Sequence, residues 1–159
     1  MPDKKNHSGH VYILDKARHY CACQERCIHD VEMKMKQWKV RPAVAAGVIK
    51  KLEKENFLNE ECFARAFAGG KFRINKWGRN KIVVALRAKK ISEAAIQKAL
   101  EEIDEHEYLM VLRKLIAEKR EKLSEPESIV SKNKVYKFAL SRGFEKNLIL
   151  QHLNQTKLI

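Results

Sequence analysis

Nine lysines and arginines, and no aspartate or glutamate, stand between Cys62 and Ser92. They are Arg65, Lys71, Arg73, Lys76, Arg79, Lys81, Arg87, Lys89 and Lys90. Cations at this density without counter-charges suit the capture of phosphates or of an acidic protein groove. Such contacts supply affinity without sequence readout, and salt weakens them steeply. The same stretch carries Ile82, Val83, Leu86 and Ile91, which spells a basic helix rather than a solvated loop. On a helical wheel Arg79, Arg87 and Lys90 fall within about 80° of one another, beside the apolar line of Ile82 and Leu86. Lys134, Lys137 and Arg142 extend the candidate surface on one side, and Lys39 and Arg41 on the other. Trp77 and Phe72 lie inside the run. Aromatics next to arginine can stack on bases, but the preferred reading packs Trp77 between helices, with Gly78 allowing them to approach.

Other chemistry is poorly supported. Cys21, Cys23 and Cys27 with His19 and His29 invite a zinc reading. Structural zinc, however, draws paired ligands from two places, whereas this is one local cluster, so no metal or cofactor is expected. Gly69-Gly70-Lys71 lacks the phosphate-loop pattern. No His-Glu-x-x-His and no defensible Ser, His and Asp set is present, so no catalytic role is expected. The net charge of +13 draws the chain toward polyanions. With no apolar run near the ~20 residues of a membrane span and no leader-like N-terminus, the expectation is a cytoplasmic protein with reduced thiols. A monomer is the default, because no leftover apolar stripe is long enough for a coiled coil.

The elements that must position these cations all read as helices. Residues 1–10 are polar and aperiodic and read as a flexible tail. Helices follow from Val11, from Glu25 to Trp38, and from Pro42 to near Asn56. Asn59 caps a fourth, which Gly69-Gly70 should weaken or end. The basic helix runs from about Trp77 to Ala88, and Ser92 caps a sixth. His106 to Lys122 is long. Ser124-Glu125-Pro126-Glu127, with capping-box spacing, should open an eighth that ends at Gly143. A ninth holds Leu148, Ile149 and Leu153.

Nine helices divide into three sets of three. Aligning Val40, Ile91 and Phe144 brings Met35, Leu86 and Ala139 together five residues earlier. Val44, Ala95 and Leu148 then coincide four later, and Ile49, Leu100 and Leu153 nine later. A fixed period of helical triplets implies stacked units that bury one another's faces. The expected organisation is therefore all-α: a tail at 1–10 and repeats at 11–57, 58–104 and 105–159, forming an elongated, curved tandem array.

With this repeat in view, the chain resembles the RecX family of regulators of the bacterial RecA recombinase. The matching residues are Glu55-Asn56-Phe57-Leu58-Asn59-Glu60-Glu61-Cys62-Phe63-Ala64-Arg65, then Lys76-Trp77-Gly78-Arg79-Asn80-Lys81-Ile82 with Leu86 and Lys89-Lys90-Ile91. Lys134, Leu140, Arg142-Gly143-Phe144, Ile149 and Leu153 follow later, and Ala17 to Arg26 looks like the family's opening helix. The family usually places Gly before the apolar residue at each junction; only Gly143 does so here, with Lys39 and Lys90 at the other two. The resemblance implies a small non-enzymatic helical protein that binds along the groove of the RecA–DNA filament. It would limit filament growth, ATP hydrolysis, strand exchange and co-protease activity, with weak, non-sequence-specific contact to DNA. The alternative is a stand-alone nucleic-acid-binding helical protein.

Overall fold

The structure, a computed structural model, describes residues 4–155 and the side chains of residues 9–155. Among the described residues there are nine α-helices and no strand: α1 Lys4–Ala22, α2 Ile28–Gln37, α3 Pro42–Lys54, α4 Glu60–Arg73, α5 Arg79–Ala88, α6 Glu93–Glu101, α7 Glu105–Glu121, α8 Ile129–Ser141 and α9 Lys146–Gln155. The principal helix–helix packing falls within α1–α3, α4–α6 and α7–α9.

The internal alignment corresponds to one backbone device present at each of the three aligned positions. Lys39, Lys90 and Gly143 all have left-handed φ, at 58°, 59° and 92°. The next residue's N–H then reaches back five positions: Val40 to the Met35 carbonyl (3.0 Å), Ile91 to Leu86 (3.1 Å) and Phe144 to Ala139 (3.3 Å). The left-handed residue's own N–H bonds the carbonyl three positions earlier, at 2.9 Å in each case. This is a Schellman C-cap, and it satisfies carbonyls that the helix end leaves open. The following helix starts two residues after the apolar residue every time, at Pro42, Glu93 and Lys146. Lysine thus adopts the backbone normally given to glycine, at a cost of roughly 1 kcal/mol.

Five helix limits differ from the sequence reading. First, α1 begins at Lys4, so residues 4–10, expected as tail, are helical, while residues 1–3 lie outside the described residues. Second, α2 begins at Ile28, after Cys27, and not at Glu25. Third, α4 runs through Gly69-Gly70 to Arg73. Its buried residues Phe63, Ala64, Ala68 and Phe72 hold it helical across the weak pair. Fourth, the basic helix starts at Arg79, after a left-handed Lys76 (φ 56°), not at Trp77. Fifth, α8 is capped by Ser128, whose Oγ accepts the Ser131 N–H at 3.1 Å. Glu127 instead pairs with Arg120 and Lys132, so the Ser124 motif forms a turn outside the helix.

The buried side chains form two clusters. Leu14, Ala17, Val31, Met35, Val48 and Leu52 fill the core of α1–α3. A second core is continuous through α4–α9, and Cys27 is inserted into it from the start of α2. At its centre Tyr108 of α7 is fully buried, its ring 5.6 Å from that of Phe72 and 5.1 Å from that of Phe144. Burying each such aromatic contributes about 1.5–3 kcal/mol. The second and third triplets are therefore fused through a shared core, and the first is joined to them by a smaller contact.

Candidate functional site

The twelve cations singled out from the sequence do not form one stripe; the structure sorts them by what each guanidinium or ammonium touches. Arg79 is withdrawn from the surface. Only 21% of its side chain is exposed, and it is ion-paired to Glu105 and Glu145. Its guanidinium carbon lies 3.9 Å from the centre of the Tyr108 ring. The Tyr108 hydroxyl accepts the Arg79 backbone N–H (3.0 Å) and donates to Glu145 (2.5 Å). Burial opposes the Arg79 charge, but the hydrogen bonds to the two carboxylates outweigh it and raise its pKa. Burial and the Glu145 contact push the Tyr108 hydroxyl far above the ordinary tyrosine range. This cluster locks α5, α7 and the start of α9 together. Arg79 is thus an internal clamp, not the central contact expected of it.

Arg87 is engaged by Glu93 at 2.6 and 3.0 Å. Lys89 donates to Asp30 at 2.6 Å, bridging the first and second triplets. Lys90 is exposed beside it, on its left-handed backbone. Arg65 meets Glu102 at 2.5 Å. Arg73 folds back over Gly69, whose missing Cβ leaves room for the guanidinium. Arg65, Gly69 and Arg73 share one side of α4, while Lys71 sits with Phe67 on another.

The remaining six predicted cations (Lys71, Lys76, Lys81, Lys134, Lys137 and Arg142) make no ion pair among the described residues, and they gather where the second triplet meets the third. The Trp77 ring lies between the ammonium groups of Lys71 (4.9 Å) and Lys81 (4.7 Å). Lys81 continues to the Ser141 carbonyl at 3.3 Å. Arg142 donates to the Asn75 carbonyl at 3.2 Å and lies 5.4 Å from the Phe138 ring, which Lys119 approaches at 4.9 Å. Lys76 is exposed in the same turn, its ammonium on the Arg73 carbonyl at 2.6 Å. On α8, Lys134, Lys137, Phe138, Ser141 and Arg142 span an arc of about 140°. The result is a face of alternating cations and aromatic rings crossing the boundary between triplets. Each ring attracts neighbouring cations by about 0.5–1 kcal/mol at such exposure, which holds them in place while leaving their charges uncompensated.

Gly78 makes this boundary possible. Its N–H donates to the Arg142 carbonyl at 2.7 Å, and the Asn80 N–H to the Gly143 carbonyl at 3.0 Å. A Cβ on Gly78 would overlap the Gly143 carbonyl group and the Phe144 nitrogen. The close approach expected at Gly78 therefore occurs, between backbones. Lys119, Phe138 and the clamp residues Glu105, Tyr108 and Glu145 were not singled out from the sequence. The Phe138–Arg142 spacing of four was the available signal; Lys119 and Tyr108 carried none.

The cysteine cluster is taken apart. α1 ends at Ala22, Cys23 stays exposed 3.7 Å from His19, and Cys27 turns into the second core. Burial pushes the Cys27 thiol up to about 11. Among the described residues no group of three or more His, Cys, Asp or Glu side chains could hold a metal ion. Nor is any helix among them long and apolar enough to cross a membrane.

Comparison with known proteins now bears on this arrangement. Residues 59–100, covering α4–α6, match the sequence model of the RecX second three-helix domain. The regulatory protein RecX of Lactobacillus johnsonii is 26% identical over 137 residues, 86% of this chain and 51% of its own length. That of Lactobacillus gasseri is 27% identical over 153 residues, 92% of this chain and 55% of its own. The crystal structure of RecX from Lactobacillus salivarius superposes with a TM-score of 0.82 at 19% identity, covering 94% of this chain and 97% of that one. The chain is similar to RecX proteins over most of its length and shares their fold. A second crystal structure, of regulatory protein RecX, gives 0.84 at 18% identity, covering 97% of this chain and 80% of that one. The chain spans about half the length of the curated relatives it matches.

The first two triplets are tied by the half-buried Lys89–Asp30 charge pair, and that pair has a testable pH signature. Burial works against the Asp30 carboxylate, but hydrogen bonds from Lys89 and from the Cys27 N–H outweigh it and lower its pKa. A depressed carboxylate pKa stabilises the fold above the unfolded value, near 4, and that stability is lost as pH falls through the folded value. Asp30→Asn is expected to lower stability by about 1.5–3 kcal/mol at pH 7, the range for hydrogen bonds to charged groups. Thermal melts should show the gap to wild type closing as pH falls from about 5 through the lowered folded value of Asp30.

Proposed function

We propose that this chain is a non-catalytic, cytoplasmic negative regulator of RecA. It binds the groove of the RecA–DNA filament through the cation–aromatic face where the second and third triplets meet. Bound there, it limits filament growth, and with it ATP hydrolysis, strand exchange and co-protease activity. The similarity to regulatory proteins named RecX supports RecA as the partner. The observation that carries the choice of face is the contrast in pairing. Among the described residues Lys71, Lys76, Lys81, Lys134, Lys137 and Arg142 make no ion pair and gather on this face, whereas Arg65, Arg79, Arg87 and Lys89 are each held by a carboxylate. Arg73 and Lys90, also without an ion pair, stand apart beside Gly69 and Lys89. A groove formed by protein and DNA offers phosphates and carboxylates together. Lysines and Arg142 held on rings meet both without first breaking an internal ion pair.

Titration of labelled single-stranded DNA, bare or coated with RecA, tests this at physiological salt. Binding to the coated form should be at least ~10-fold tighter, about 1.4 kcal/mol. Equal or tighter binding to bare DNA, with a steep salt slope, would instead make the chain a stand-alone nucleic-acid binder.

A further inference from the structure

The alignment that pairs Val40, Ile91 and Phe144 also pairs the two joints between triplets. It sets Cys27 against Gly78, His29 against Asn80, and Lys89-Lys90 against Arg142-Gly143. At the second joint the backbones touch, through the bonds from Gly78 to Arg142 and from Asn80 to Gly143. That approach needs glycine on both sides. A Cβ on Gly78 would stand 2.3 Å from the Gly143 carbonyl carbon, and one on Gly143 would stand 2.3 Å from the Lys81 Cβ.

At the first joint both places carry side chains. Cys27 turns its thiol into the second core, and Lys90 keeps the left-handed backbone, with φ 59°, but adds a Cβ. In the same approach the Cys27 Cβ would meet the Lys90 carbonyl. The Lys90 Cβ would meet Asp30, which stands where Lys81 does. Among the described residues no backbone hydrogen bond crosses here. A gap of about 250 Å³ takes its place, flanked by Cys27, Ile28 and His29 on one side and Lys89, Lys90 and Ile91 on the other. The clamp has no counterpart either, since Ile28 stands in the place of Arg79 and Ser92 in that of Glu145. The Nδ1 of His29 is buried without a hydrogen-bond partner, which a closed interface rarely leaves. The joint is spanned instead by the Lys89–Asp30 pair, at 2.6 Å, and by the Cys27 side chain.

We propose that this first joint is a hinge. Cys27 and Lys90 hold apart the backbones that Gly78 and Gly143 bring together one repeat later. The first triplet turns as a unit about the Lys89–Asp30 pair, against a rigid body made of the other two. Its separate core permits this: among the buried residues of the second core, Cys27 alone comes from the first triplet. The hinge does not rest on the filament reading. If that reading holds, the first triplet changes its angle to a partner that the boundary face already grips.

Residual dipolar couplings of the whole chain, weakly aligned, test this. Helices α4–α9 should fit one alignment tensor, and α1–α3 a second of smaller magnitude. A single tensor for α1–α9 would overturn the proposal. Amide exchange gives an independent reading. The His29 N–H should exchange at least ~100-fold faster than the Asn80 N–H, because it opens with the joint and not with the whole fold. Equal protection at the two amides would contradict the hinge. Cys27→Gly combined with Lys90→Gly should merge the two tensors and slow His29 exchange. A folded double variant that keeps two tensors would overturn the role given to Cys27 and Lys90. If the double variant does not fold, the wild-type couplings decide. Lys39→Gly relieves the same left-handed backbone away from the joint, and should leave couplings and exchange as they were.

Discussion

Arg79→Glu is expected to lower stability by about 3 kcal/mol and to depress Tm by roughly 10 °C. The substitution removes the guanidinium from two carboxylates and places a third beside Glu105 and Glu145. Removing one partner of a buried ion pair typically costs about 3–5 kcal/mol. The lower end applies here because Glu105 is largely exposed and solvent screens it. For a chain of this size one kcal/mol moves Tm by about 2–4 °C. Arg79→Lys keeps the charge but not the fork that spans both acids, so about half the loss should remain. Melts followed by circular dichroism check this, and a Tm within about 2 °C of wild type for Arg79→Glu would contradict the clamp. Loss of the proposed regulatory activity in an Arg79 variant would therefore report on the fold, not on a binding contact.

Gly78→Ala should be at least as damaging, by about 3–5 kcal/mol. Overpacking alone costs about 1–3 kcal/mol when neighbours can shift. Here the overlapping atoms are the Gly143 carbonyl and the Phe144 nitrogen, which are backbone and cannot swing aside. Relieving the clash means parting the two triplets. That strains the hydrogen bonds from Gly78 to Arg142 and from Asn80 to Gly143, each a further ~0.5–1.5 kcal/mol. Gly70→Ala is the matched control. Gly70 lies inside α4, and nothing stands within 4 Å of where its Cβ would be, so alanine there should stabilise by about 0.5–1 kcal/mol. Urea midpoints for the two variants should move in opposite directions. Similar midpoints would mean that the boundary is looser than the backbone contact indicates.

These expectations show which parts of the molecule were legible in its residues. The helices and their triplet register were, because Val40, Ile91 and Phe144 each follow a helix end whose geometry is set locally, within six residues. Lys39 and Lys90 hid that geometry, since lysine rarely signals a left-handed turn. The charges were legible as a supply and not as an arrangement. A helical wheel puts Arg79 beside Arg87, but it cannot know that Glu105 and Glu145, 26 and 66 residues away, reach Arg79 first. The absence of acids between Cys62 and Ser92 was real, yet several of its cations find their acids outside that stretch. Tyr108 was invisible because a tyrosine at the start of a long helix looks like surface. Only the fold shows it buried between Phe72 and Phe144.

Most of the cations left after those internal pairings lie on the face around Trp77 and Phe138. The central claim is that this face engages the filament, and its most direct test is inhibition of DNA-dependent ATP hydrolysis by RecA. Lys81→Glu combined with Lys137→Glu should raise the concentration for half-inhibition by at least ~10-fold, about 1.4 kcal/mol, with Tm within about 2 °C of wild type. Arg65→Glu with Arg73→Glu, on another side of α4, should leave inhibition as it was. Undiminished inhibition by the Lys81 and Lys137 variant, or impairment only with Arg65 and Arg73 reversed, would contradict the account.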